Sequence, residues 1–351
     1  MVVPRRAALG LLVALLAGLP APATSAAAGL PLPPPSLPAL TPLPALPGLP
    51  LEPVCGEPFG QTDTPPHPRV QRAVVGGMPV AVVLPPGYER SRTRYPVVYL
   101  MHGAQGDEDS WIEYGDLLAS TAARSPREQA IVVLPRLGAV TGLAVDWVDG
   151  HRRDATLIGR DLVRWVDSTY RTRADRQHRA LAGYSGGGLS AAHLAEVHAD
   201  DFGQLGVLSG AVAPRDPANQ LGVLATMRAE QLCAGDDPLA AGPLGDPVAH
   251  AAAWEAVDPL HDAGRLRGTT VFLSSGNGVP CRPEDAADLV YPTAGTEPQL
   301  RQQTQAFSDA LTAAGVRHTH QLRSCGLHWW TTWTPDLDAF WDLAAAQWRG
   351  R

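Results

Sequence analysis

The chain has 351 residues, 45% of them hydrophobic, and a formal net charge of −7. That supplies core for one large α/β domain or two small ones. Every basic residue is arginine and none of them forms a patch interleaved with aromatics, so the acidic balance excludes a nucleic-acid partner.

The N-terminus has the three-part layout of an export signal. Arg5-Arg6 form the charged part, Ala7 to Leu19 the apolar part, and Ala23 to Ala28 a small-residue cleavage zone. Residues 1–28 are therefore expected to be removed, leaving a secreted or envelope-associated protein; an uncleaved anchor is the competing expectation. The apolar run is short for a bilayer span. Residues 29–54 are a Leu/Pro run whose prolines remove donors and fix φ, so an extended linker is expected. A single folded domain should occupy 55–351.

Export gives the four cysteines meaning, because an oxidising compartment favours two disulfides in one of three connectivities. Cys281 and Cys325 both follow late neighbouring strands, which favours pairing them over Cys55 and Cys233. No Cys-x-x-Cys and no His-Glu-x-x-His occurs, so neither a metal nor a cofactor is expected.

Val70 to Val75 and Val80 to Leu84 read as strands joined at Gly76-Gly77, a hairpin. Tyr95 to Met101 and Ala130 to Leu134 are continuous apolar runs, as expected of strands buried on both faces. Ile158, Leu162, Trp165 and Val166 recur at helical spacing. Arg179 to Ala182, Leu205 to Gly210, Thr270 to Ser275 and Val316 to Leu322 complete the strands. Pro298 to Ala314 reads as a helix closed by Gly315, and Thr334-Pro335 as the start of a terminal helix. Residues 215–248 show no clear periodicity and are expected to be a loop insertion over the strand tips, placed as a lid. Alternating strands and helices imply an α/β fold, a mostly parallel sheet covered on both faces, with an antiparallel N-terminal edge.

The most informative stretch is Leu181-Ala182-Gly183-Tyr184-Ser185-Gly186-Gly187-Gly188. A strand runs into Gly-x-Ser-x-Gly and a helix follows, the nucleophile elbow of α/β hydrolases. A serine needs a base, and His328, after the last strand and before the terminal helix, is best placed among eleven histidines. His318 and His320 share a strand face and read as solvated surface. For the acid that orients the imidazole, Glu284, Asp285, Asp288 and Glu297 all fall between Gly276-Asn277-Gly278 and the last strand, and position alone leaves them open. The oxyanion donors are expected to be the N–H groups of Gly186 and Ala104. Trp329, Trp330 and Trp333 could stack sugar rings or simply pack.

Leu84-Pro85-Pro86-Gly87-Tyr88, Tyr95 through Gly103, Trp111, and Asp161-Leu162 through the elbow resemble the esterase D-like group. That group includes feruloyl and acetyl esterases and the actinobacterial trehalose mycolyltransferases, and the resemblance spans about residues 70 to 349. Asp246-Pro247, Trp254, Asp258-Pro259, Gly276-Asn277-Gly278 and His328 with Trp330 and Trp333 are similar to the mycolyltransferase branch. That branch places its catalytic glutamate at a fixed offset before Gln-x-Phe, here Gln305-Ala306-Phe307, and the resemblance therefore implies Glu297. The chain departs from the branch where Asp and Arg help bind trehalose; His102 and Gln105 stand there, and with Trp330 and Trp333 they are the substrate-binding candidates. The resemblance implies an α/β hydrolase that is a serine esterase or acyltransferase acting on an acyl ester. A glycolipid or carbohydrate acceptor is implied by its mycolyltransferase branch. A non-catalytic envelope-binding protein on the same scaffold is the reading from another class.

Overall fold

Eight strands form one sheet in the computed structural model, which describes residues 66–349 apart from 139, 238–239 and 291–293. The expected export signal, the linker and Cys55 lie outside the described residues. The strands are β1 (Val70–Val75), β2 (Met78–Val83), β3 (Val97–Met101), β4 (Ile131–Pro135), β5 (Arg179–Tyr184), β6 (Gln204–Leu208), β7 (Thr270–Ser275) and β8 (His318–Leu322). Their order is β1-β2-β4-β3-β5-β6-β7-β8. β2 runs antiparallel to β1 and β4, and every pairing from β4 to β8 is parallel. This is the α/β-hydrolase arrangement with the antiparallel edge expected from the Gly76-Gly77 hairpin.

Successive strand side chains point to opposite faces, and the two cores follow that alternation. Val97, Tyr99 and Met101 of β3 enter one core, together with α1 (Val163–Thr169), α2 (Gly186–Val197) and Phe307 and Leu311 of α4 (Glu297–Ala313). Val98 and Leu100 enter the other, against Trp111 and the aromatic stripe of α5 (Trp330–Trp348), which includes Phe340 and Trp341. Full burial of each such side chain stabilises by about 1.5–3 kcal/mol. A third, smaller cluster joins Leu143, Trp147, Leu189, Met227 and Trp254 above the strand tips.

Three expectations need correction. Residues 215–248 hold a long helix, α3 (Pro217–Ala234), where a loop is expected from the missing periodicity. Its polar Glu230 and Gln231 are buried while Leu221 and Leu232 are exposed, so no apolar stripe marks it. Its ends were written in the sequence: Asp216 accepts from the Ala218 N–H at 2.8 Å, Pro217 opens the first turn, and Gly235 closes it in the left-handed region. The terminal helix starts at Trp330, with Pro335 inside it, where the missing N–H forfeits one bond near the helix start. His318 and His320 are half-buried, and His318 Nε2 lies 2.8 Å from Ser308 Oγ.

The parallel strands all point their C-terminal ends toward one edge. The loops leaving β3, β5, β6, β7 and β8 therefore converge there, the place where ligands bind in open α/β sheets. Among the described residues no helix is long and apolar enough to cross a membrane.

Candidate active site

Ser185 sits where β5 turns into α2, with φ 56 and ψ −124. This is a conformation L-residues avoid, and it is maintained by bonds on both sides. The Ser185 N–H donates to the Leu208 carbonyl at 3.1 Å, and its carbonyl accepts from the N–H of Gly188 and Ala211, each at 3.0 Å. The flanking glycines are steric requirements. A Cβ at Gly183 would lie 2.3 Å from the Gly187 carbonyl oxygen, and one at Gly187 would lie 2.3 Å from that of His102.

His328 lies on the loop between β8 and α5 and is almost fully buried. Its Nδ1 is 2.8 Å from Glu297 Oε2. Glu297, the first residue of α4, is wholly buried; its Oε1 accepts from Ser209 Oγ at 2.6 Å and from the Gly276 N–H at 2.5 Å. A carboxylate so held requires Nδ1 to be the protonated nitrogen and leaves Nε2 as an acceptor. Of the other acids, Asp285 and Glu284 face Arg282, and Asp288 faces Thr331. None of those three bonds the imidazole.

The loops that carry these groups are stapled together. Arg301 of α4 donates to the carbonyls of Gly276 at 3.1 Å and Arg323 at 2.7 Å, spanning the exits of β7 and β8. Cys281 and Cys325 form a disulfide three residues before His328, the pairing their positions favoured. Cys233 is disulfide-bonded as well. The buried Asp336 of α5 pairs with Arg323 at the head of the histidine loop. Burial, against the pull of Arg323, pushes the Asp336 carboxyl up to about 6.

Ser185 and His328 line two depressions in common. One, about 170 Å³, runs between α3 and α4 and is lined by Leu143, Leu189, Gly222, Val223 and Leu300, with Ala104 and Gly186 at its mouth. The other, about 60 Å³, is lined by Gln105, Tyr114, Tyr184, Trp329, Trp330 and Trp333. Ala104 N lies 3.8 Å from the position a Gly186 Cβ would take, so the two expected oxyanion donors are neighbours. Gln105, at φ 60, borders the same space.

His102 does not belong with the substrate-binding candidates. It is 1% exposed; its Nδ1 bonds the Gly103 carbonyl at 2.8 Å and its Nε2 accepts the Leu137 N–H at 2.7 Å. Burial lowers its pKa and keeps the ring neutral, a strut under the loop that presents Ala104. Trp330 and Trp333 line the small depression but spend their rings internally. Trp333 stacks on Tyr184 at 4.1 Å and meets His328 edge-on at 4.8 Å, while Trp330 packs against Trp111 at 5.2 Å. They wall the imidazole more than they offer a sugar platform.

Two residues escaped sequence reasoning. Ser209, at φ 47, supports Glu297 from the end of β6. Its signal was the Ser-Gly following an apolar strand. Glu230 of α3, 1% exposed, accepts from Val140 N–H at 2.6 Å and Thr141 N–H at 3.1 Å and pairs with Arg152 at 2.6 Å. Val140 in turn accepts the Gln105 N–H at 2.8 Å, so the carboxylate steadies the loop beside Ala104.

The family model described as "Putative esterase" matches residues 73–341. The chain belongs to this esterase family. Among curated relatives, the esterase Rv1288 of Mycobacterium tuberculosis is 28% identical over 262 residues, covering 72% of this chain and 54% of that protein. The chain thus spans about half the length of that relative. The diacylglycerol acyltransferase/mycolyltransferase Ag85A of Mycobacterium leprae is 26% identical over 268 residues, covering 72% of this chain and 75% of that one. Among solved structures, Mycobacterium tuberculosis MPT51 superposes with a TM-score of 0.58 at 21% identity, covering 79% of this chain and 98% of that one. An S-formylglutathione hydrolase from Agrobacterium tumefaciens superposes at 0.56 with 15% identity, covering 79% and 93% respectively. At those identities the superpositions speak to the fold, which the esterase family shares.

Proposed function

We propose that this esterase-family chain is a secreted serine carboxylic-ester hydrolase that works through an acyl-enzyme on Ser185. The observation that carries the reading is the strained serine sharing one cleft with an imidazole already tied to a buried carboxylate. Ser185 Oγ attacks the ester carbonyl as its proton passes to His328 Nε2, and Glu297 stabilises the imidazolium that results. The N–H groups of Gly186 and Ala104 receive the oxyanion, each worth about 3 kcal/mol of transition-state stabilisation. The C–O bond then breaks, His328 returns its proton to the leaving alkoxide, and a water deprotonated by the same imidazole releases the acid.

Hydrolysis is favoured over transfer to trehalose or a cell-wall sugar by the size of the depression on the aromatic side. About 60 Å³ holds roughly two waters, and its tryptophans are already packed. Action outside the cytoplasm is supported by the disulfide at the site. The test is labelling by a fluorophosphonate probe together with p-nitrophenyl acetate turnover, with and without trehalose. Covalent adduct on Ser185, loss of turnover by at least ~10⁴ in Ser185→Ala, and free acid as product with or without trehalose are expected. Acyl-trehalose as main product would move the reading to a transferase. A folded protein with no adduct would favour the envelope-binding protein.

A further inference from the structure

One wall of the apolar slot between α3 and α4 is a helix braced toward both of its ends. α3 is tied near its C-terminus by Glu230, whose carboxylate holds Val140, Thr141 and Arg152. At its N-terminal end Asn219 Oδ1 accepts from Gln299 Nε2 of α4 at 2.6 Å, and the preceding Ala213 N–H donates to Gln303 of α4 at 3.0 Å. Both walls are therefore braced against each other, and the slot keeps its size. That size is about 170 Å³. An apolar cavity of about 150 Å³ takes a benzene ring, six carbons.

Resting on the acyl-enzyme reading above, we infer that the slot is the acyl subsite, that it selects short acyl groups of about six carbons, and that Gly222 gauges their length. Leu143, Leu189, Val223 and Leu300 give it an apolar lining, and Ser185 with Gly186 stands at its mouth, where the carbonyl carbon would sit. Gly222 lies inside α3 and lines the slot, and a Cβ built on it meets nothing within 4 Å. A side chain added there enters open space that an acyl tail would otherwise use. It meets no backbone strain, because the residue is helical and outside the left-handed region.

The consequence is a chain-length profile with a definite shape. Each methylene buried in an apolar slot raises kcat/KM about fourfold, the equivalent of about 0.8 kcal/mol. The rise should run from acetyl to about hexanoyl and stop once the slot is full, because further carbons meet solvent.

The experiment measures kcat/KM of the full-length protein for p-nitrophenyl acetate, butanoate, hexanoate, octanoate and dodecanoate. It compares wild type, Gly222→Val and, as a control on the outer face of α3, Leu221→Ser at an exposed position. Ser185 labelling by the fluorophosphonate probe is scored in all three. The inference requires a maximum near hexanoate in wild type and in Leu221→Ser. In Gly222→Val the hexanoate-to-acetate ratio should fall at least tenfold and the maximum move to butanoate or shorter. Labelled Ser185 with a flat profile, a rise that continues to dodecanoate, or a Gly222→Val ratio equal to wild type would overturn it and leave the acyl-enzyme reading standing. Absence of labelling in folded wild type would overturn both.

Discussion

Glu196 offers a test of the packing logic that is independent of catalysis. It is 4% exposed at the end of α2, with Oε1 lacking a hydrogen-bond partner, and it shares its surroundings with Asp262, Asp258 and Arg265. Burial first, and then the two aspartates, push its carboxyl up to about 9 from 4.5. A carboxyl raised in this way binds a proton in the folded state that the unfolded chain has already released. Its contribution to stability is therefore complete below pH 4.5 and is lost as pH climbs through the window to about 9. At about 1.4 kcal/mol per pH unit, the loss reaches at most ~3 kcal/mol by pH 7. Glu196→Gln keeps the shape and abolishes the titration. Relative to wild type it should gain little at pH 5 and progressively more at pH 6, 7 and 8, read as urea midpoints at constant m-value. At pH 7 the gain corresponds to about 5 °C in Tm for a domain of this size. A difference between the two proteins that does not change with pH would refute the argument, as would a variant less stable than wild type at pH 8.

The remaining predictions concern the site. Glu297→Gln should leave the fold intact and lower kcat about 10³–10⁴-fold, since an amide can present the wrong partner to Nδ1; steady-state ester kinetics and a thermal melt check both halves. Ser209→Ala removes one donor from the same carboxylate and should lower kcat roughly tenfold with KM little changed, a smaller effect because the Gly276 N–H remains. Replacing Cys281 and Cys325 together by serine opens a loop of 44 residues, worth up to about 4 kcal/mol on the chain-entropy model. The same change frees the histidine loop, so kcat should fall alongside the denaturation midpoint, and unchanged kcat would show that Arg301 and Asp336 hold His328 without help.

Much of the architecture was legible from one-dimensional pattern because it is local. Strands buried on both faces need unbroken apolar runs, as in Val97–Met101 and Ile131–Pro135, and a strained serine turn needs a glycine at 183, where a Cβ would meet the Gly187 carbonyl of the same turn. The order of strand, elbow, last strand and terminal helix likewise singled out Ser185 and His328 as candidates. Three matters were decided by tertiary structure alone. Which acid meets the imidazole depends on α4 starting where the exits of β6, β7 and β8 converge, so that Ser209, Gly276 and His328 all reach Glu297 while Asp285 turns to Arg282. Whether His102 faces substrate or props a loop depends on Leu137, 35 residues away, arriving to donate to its Nε2. And α3 shows no stripe because Glu230 is buried to hold Val140 and Thr141 while Leu221 and Leu232 face solvent, a placement that only the arrival of the loop from residue 140 decides. Short-range sterics leave their mark on neighbouring letters; a contact between distant segments exists only once the sheet has set their register.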